Sequence, residues 1–287
     1  MVPDLTAATG ATPPRWIRRH PIAAFAGGAY SISWMVWSPL WVAALLGRAA
    51  ALPSWWHYVG SVGPITSALI VSAILEGAAG PRRLLGRLAA WRGNVVWIAV
   101  AAIVPLAALA AASMADRALG GYGVDWSRVG RTYELPWLTG VTAFLFHALT
   151  FGVGEETGWR AFALPRLQAR RSALVATVLL TLIWAGWHLP AFLYRPGYMG
   201  LDVGGALGWL LSLFGGALLL TWLFNSSRGS TLVLVAFHGS INLAFVWDDA
   251  PPRVPAILGM MLMVWAVGVL AVAGPRTMSH RLEVVRE

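Results

Sequence analysis

The chain has 287 residues, 58% of them hydrophobic and 11% charged, with a mean hydropathy of +0.66. A soluble domain carries about a quarter charged residues, so this composition excludes an ordinary soluble fold and predicts an all-α integral membrane protein, a polytopic bundle. The net charge of +9 comes from arginine without any lysine, placed between apolar runs, where topology and lipid headgroups account for it without a nucleic-acid partner; the absence of cysteine removes disulfides, thiolate metal ligands and a thiol nucleophile.

A spanning helix takes roughly 20 apolar residues. Residues 1–14 are small and Pro-containing and lack a basic leader, so the first apolar run is expected to stay as a helix and not be cleaved. Apolar runs at 22–46, 56–76 and 94–113 predict the first three spans. Between the second and third, "GPRRLLGRLAAWRGN" (80–94) alternates Arg with Leu and Trp at helical spacing, which suits a short helix lying on the inner interface. Residues 115–136 read as a polar outer loop. Runs at 137–154, 172–191, 207–225, 231–247 and 254–273 bring the total to about eight spans. Arginine is denser before residue 22, after 273, and in the alternate connections between them. By the positive-inside rule both termini, 1–21 and 274–287, face the cytoplasm of the cell inner (plasma) membrane, around a single multi-pass domain at 22–273. No internal repeat or separate soluble domain is visible.

Ionisable groups inside spans are costly and usually face the bundle interior. Here they are Glu76, His147, Glu155, Glu156, Arg160, His188 and His238, joined by the neutral Asn242. In "FGVGEETGWRAFALPRL" (151–167), Glu155 and Glu156 diverge by about 100° on a helix, and Glu156 stands at i, i+4 to Arg160, the spacing of an ion pair. That leaves Glu155 free to enter a cavity as a general base. Both carboxylates equally suit an interfacial helix end, paired with the following arginines.

"LIWAGWHLPAFL" (182–193) puts His188 near a helix end that Pro190 kinks or terminates. "LVAFHGSINLAF" (234–245) puts His238 and Asn242 on one helical face, where Asn242 serves either as a hydrogen-bond partner of His238, as an oxyanion donor, or as interhelical packing. His147 fits a supporting role, and Glu76 an answer to the arginines after it. Taken together, Glu155, His188, His238 and Asn242 suit hydrolysis by activated water. No serine or cysteine nucleophile is paired with a base, and His-Glu-x-x-His is absent.

The same residues carry a family resemblance. Glu-Glu-x-x-x-Arg (155–160), Trp184-x-x-x-His188 and His238-x-x-x-Asn242 occur in order on successive helices. Over about residues 137–250 the chain resembles the CPBP intramembrane proteases, also called the ABI or type II CAAX prenyl endopeptidase family. "WRAFALPRL" and "WHLPAFL" are closest to its bacterial members, with Trp184 where Phe is frequent. The resemblance implies a membrane endopeptidase in which Glu155 and His238 activate the water. It gives His188 and Asn242 the carbonyl and oxyanion, and Glu156 and Arg160 a supporting role. It implies either a metal-free glutamate mechanism, preferred here because Asn is a poor zinc ligand, or a zinc site on Glu155, His188 and His238. The expected partners are membrane lipids and a membrane-associated protein or peptide substrate, in a setting such as CAAX processing or bacteriocin maturation and self-immunity. A proton-coupled transporter and a catalytically silent membrane scaffold are the alternatives from other classes.

Overall fold

A computed structural model describes residues 14–280 and 285, so the arginines at 281 and 286 and the segment before residue 14 lie outside the described residues. Among the described residues the chain is helical throughout, with no strand. The short α1 (Arg15–Arg19) leads into α2 (Pro21–Leu45), which starts on a proline at its first position, where no backbone donor is missed. A 3₁₀ turn at Ser54–Ser61 runs into α3 (Val62–Glu76). The amphipathic α4 (Ala79–Leu88) follows, then α5 (Val95–Ala118).

After the outer loop comes one long interrupted helix. It comprises α6 (Gly140–His147), a π-helical stretch Ala148–Val153, α7 (Gly154–Gly158), a second π-helical stretch Trp159–Ala163, and α8 (Leu164–Gln168). The chain continues through α9 (Ala173–Trp187), the short α10 (Ala191–Tyr194) and α11 (Pro196–Met199), α12 (Val203–Ser226), α13 (Thr231–Phe245) and α14 (Val254–Ala273).

Five helical segments are long and apolar enough to cross a membrane: Ser54–Glu76, Val95–Ala118, Ala173–Tyr194, Val203–Ser226 and Val254–Ala273. The other three expected spans correspond to α2, the interrupted helix and the 15-residue α13. All eight apolar runs are helical, and the polytopic helical bundle stands.

Two boundaries differ from expectation. The third span runs on to Ala118, so the outer loop begins later than residue 115. The fourth does not stop at residue 154 but continues beyond Pro165 to Gln168. Pro165 falls at the junction of the second π-helical stretch with α8, where backbone pairing is already changing register, so its missing N–H interrupts no regular run.

The interrupted helix is the centre of the fold. Its α7 packs on α3, its first π-helical stretch on α13, and α13 in turn on α5. The core around it holds Phe25, Trp37, Trp159, Phe162, Trp187 and Phe237, all fully buried. Its C-terminal end is tied twice. Arg166 donates to Glu76 at 2.9 Å, and Gln168 and Asn225 exchange reciprocal amide hydrogen bonds at 2.8 and 3.2 Å. Glu76 also pairs with Arg83, which confirms that it answers the arginines after it. The α4 helix buries Leu84 and exposes Arg82 and Leu85. Its C-terminal end is held by Ser230, whose hydroxyl donates to the Ala90 carbonyl at 2.8 Å.

Candidate active site

The two glutamates sit inside the five-residue sequence Gly154–Gly158, GEETG. The flanking glycines are one turn apart and let the backbone approach the start of α3. A Cβ at Gly158 would lie 2.7 Å from both the Cβ and the carbonyl oxygen of Pro64, and one at Gly154 would lie 2.5 Å from the Ser61 carbonyl oxygen. The glycine face is thus used for packing, and the glutamates project from the rest of the turn. Glu155 lies about 20 Å from either end of the Gly140–Gln168 helix at 1.5 Å per residue. The continuation past Pro165 therefore places it mid-depth in the bundle. Both carboxylates are buried, Glu155 at 2% and Glu156 at 0% exposure.

Adjacent in sequence, they have different partners. Glu156 Oε1 accepts from Arg160 Nη1 at 3.1 Å, the expected i, i+4 pair, and also from His238 Nδ1 at 2.7 Å. Glu155 Oε2 accepts from the Trp184 indole N–H at 2.7 Å. Trp184 also lies under the Arg160 guanidinium, whose Cζ is 4.2 Å from the ring centroid. Glu156 is therefore the structural hub of the cluster, while Glu155 makes no ion pair with Arg160.

The two histidines are oriented by what their Nδ1 atoms meet. His188 Nδ1 donates to the Trp184 carbonyl at 2.8 Å, which leaves Nε2 of the neutral ring as an acceptor. His188 follows Trp187, the last residue of α9, and His188–Pro190 form a turn before α10, so of the two expected outcomes at Pro190 the regular helix is terminated, three residues before it. His238 Nδ1 goes to the Glu156 carboxylate and not to Asn242, so its Nε2 is the free nitrogen. Its ring is stacked on Phe151 at 6.1 Å and stands edge-on to Trp184 at 6.1 Å.

His238 and Asn242 line one cavity of about 260 Å³ between α9, α12, α13 and α14, whose other walls include Trp184, Trp209, Leu220 and Met263. His147 is buried and stacks on Phe151 at 5.9 Å, the same ring on which His238 stacks, so it stands beside the site without a hydrogen bond to it. Among the described residues no group of three His, Asp or Glu side chains is arranged to hold a metal ion.

Sequence reading overlooked a second buried polar cluster, above the site. Arg195 donates to Glu134 Oε2 at 3.1 Å and to His57 Nε2 at 3.1 Å, and His57 Nδ1 meets the Tyr194 hydroxyl at 2.6 Å. Burial opposes the charge on Arg195, but the Glu134 carboxylate together with Tyr58, Tyr198 and Tyr194 outweighs it and holds the guanidinium above its ordinary value. Through this pair the outer loop is fixed to the segment that follows His188. His57 stands at the very start of its apolar run, and Glu134 and Arg195 stand in loops. Only the i, i+1 step from Tyr194 to Arg195 linked any of them locally.

Comparison with known proteins bears on the same segment. Residues 136–244 match the family model described as type II CAAX prenyl endopeptidase Rce1-like. A curated relative, CAAX prenyl protease 2 of Methanococcus maripaludis, is 31% identical over 103 residues, which cover 34% of this chain and 38% of that protein. The match spans well under two thirds of the relative, and the family-model range 136–244 holds Glu155, Glu156, Arg160, His188, His238 and Asn242.

Proposed function

We propose that this chain, whose residues 136–244 match the Rce1-like type II CAAX prenyl endopeptidase family model, is an intramembrane endopeptidase that hydrolyses peptide bonds of membrane-associated protein or peptide substrates. The observation that carries the reading is the division of labour between two adjacent buried carboxylates. Glu156 is consumed in an ion pair and a histidine contact, while Glu155 keeps one oxygen outside the hydrogen bonds described above.

In this reading Glu155 takes a proton from water. His188, with its acceptor Nε2, assists in holding that water. The hydroxide attacks the scissile carbonyl carbon. The oxyanion that forms is met by donors on the cavity wall, the Asn242 amide and, with the ring protonated on both nitrogens, the Nε2–H of His238. A positive charge on His238 is faced by the Glu156 carboxylate, whereas one on His188 is faced only by a backbone carbonyl. On that ground the two histidines exchange the roles that the family resemblance first implied. Glu155 then returns its proton to the leaving amine nitrogen as the C–N bond breaks. Water is activated without metal in this scheme.

An inner-membrane setting with both termini in the cytoplasm is part of the same proposal and rests on the placement of the arginines, and the apolar cavity suits a substrate with an apolar anchor. The test uses purified protein in liposomes with two fluorogenic peptides, a farnesylated Cys-a-a-X peptide and an unprenylated peptide with an apolar tail. Cleavage of either, unaffected by a strong chelator, supports the proposal. Proton flux without cleavage of any peptide would favour a transporter, and loss with chelator restored by zinc would overturn the metal-free step.

A further inference from the structure

One residue meets four of the five ionisable groups of the site, all but Glu156. The Trp184 indole N–H donates to Glu155 Oε2 at 2.7 Å, and its ring carries the Arg160 guanidinium at 4.2 Å. The ring edge faces His238 at 6.1 Å, and its backbone carbonyl accepts from His188 Nδ1 at 2.8 Å. Trp184 is 6% exposed, and it forms part of the cavity wall that also holds His238 and Asn242.

We propose that Trp184 is a positioning residue for the hydrolysis, its indole N–H holding Oε2 of Glu155 so that Oε1 is the oxygen presented to the attacking water. This rests on the functional reading above and deepens it. A carboxylate without a donor on either oxygen rotates about its last torsion and presents either one. A single donor at 2.7 Å removes that freedom and favours the charged, basic form. The ring itself is held in plane from its face by Arg160, which is fixed in turn by Glu156. Trp184 thereby joins the structural carboxylate to the reacting one through a single cation. The arrangement also fixes His188, because the carbonyl that orients its ring belongs to the same residue.

Trp184→Phe keeps the ring face and the backbone carbonyl and removes only the N–H. With the farnesylated peptide in liposomes, kcat should fall about tenfold or more. KM should be unchanged, and the acid limb of the kcat profile should move to higher pH, because the ionised base has lost its donor. A kcat profile that overlays the wild type overturns the proposal, since a packing role alone would leave the limb in place. Should Trp184→Phe fail to fold, the wild-type protein carrying ¹⁵N-labelled tryptophan supplies the second readout. The Trp184 indole resonance should shift with pH through the transition seen in kcat, and should stay fixed in Glu155→Gln. A resonance indifferent to that substitution overturns the proposal. Wild-type cleavage by Glu155→Gln would defeat the functional reading itself, so the two failures are told apart.

Discussion

Glu156 Oε1 takes both the Arg160 and the His238 hydrogen bonds, at 3.1 and 2.7 Å, in a fully buried setting. Removing one partner of a buried ion pair strands the other charge, at roughly 3–5 kcal/mol. Glu156→Gln keeps the shape and an acceptor oxygen but leaves Arg160 without a counter-ion. It should lower the thermal midpoint of the detergent-solubilised protein markedly, whereas an unchanged midpoint would remove Glu156 from the structural role. At this scale the sequence was most informative where contacts are local. The Glu156–Arg160 pair and the shared face of His238 and Asn242 follow from i, i+4 spacing alone. The Glu155–Trp184 and Glu156–His238 bonds join residues 29 and 82 positions apart, and no periodicity encodes them. Trp184 read as a family variation, when its N–H is the donor to Glu155.

The element that carries the glutamates is a helix whose regular pairing changes twice, at Ala148–Val153 and at Trp159–Ala163. Such π-helical stretches recur at functional sites, and here they bracket the single α-helical turn GEETG. They were not legible in sequence, because ALTFGV and WRAFA are mainly apolar, and the one weak helix former among them, Gly152, does not by itself signal a change of pairing. The apolar run instead suggested an end at residue 154, where the helix in fact continues to Gln168. The glycine spacing within GEETG was present in the sequence, but its meaning depended on knowing which helix packs against it. Gly158→Val should collide with Pro64, where even a Cβ would sit 2.7 Å from two of its atoms. Overpacking of this kind costs typically about 1–3 kcal/mol. Loss of both thermal stability and cleavage is expected, while a fully active, equally stable variant would show that α7 and α3 do not need their close approach.

Across the whole molecule, composition alone announced the membrane bundle, and helix existence was legible for every apolar run. Orientation is the property the fold leaves to experiment, and the chain offers a clean route to it because it contains no cysteine. Single cysteines at the exposed positions Asp125, in the outer loop, and Arg170, after α8, should label from opposite sides of sealed vesicles, with Arg170 on the cytoplasmic side. Labelling of both from one side would contradict the topology and the inner-leaflet anchoring of α4 with it. The account as a whole turns on Glu155 being the base and Glu156 its support. The most direct test is the rate at which Glu155→Gln, reconstituted in liposomes, cleaves the peptide that the wild type cleaves. The predicted result is a fall of about 10²–10⁴-fold with the thermal midpoint preserved, since Glu155 belongs to no ion pair. Cleavage at the wild-type rate by a folded Glu155→Gln protein would contradict it.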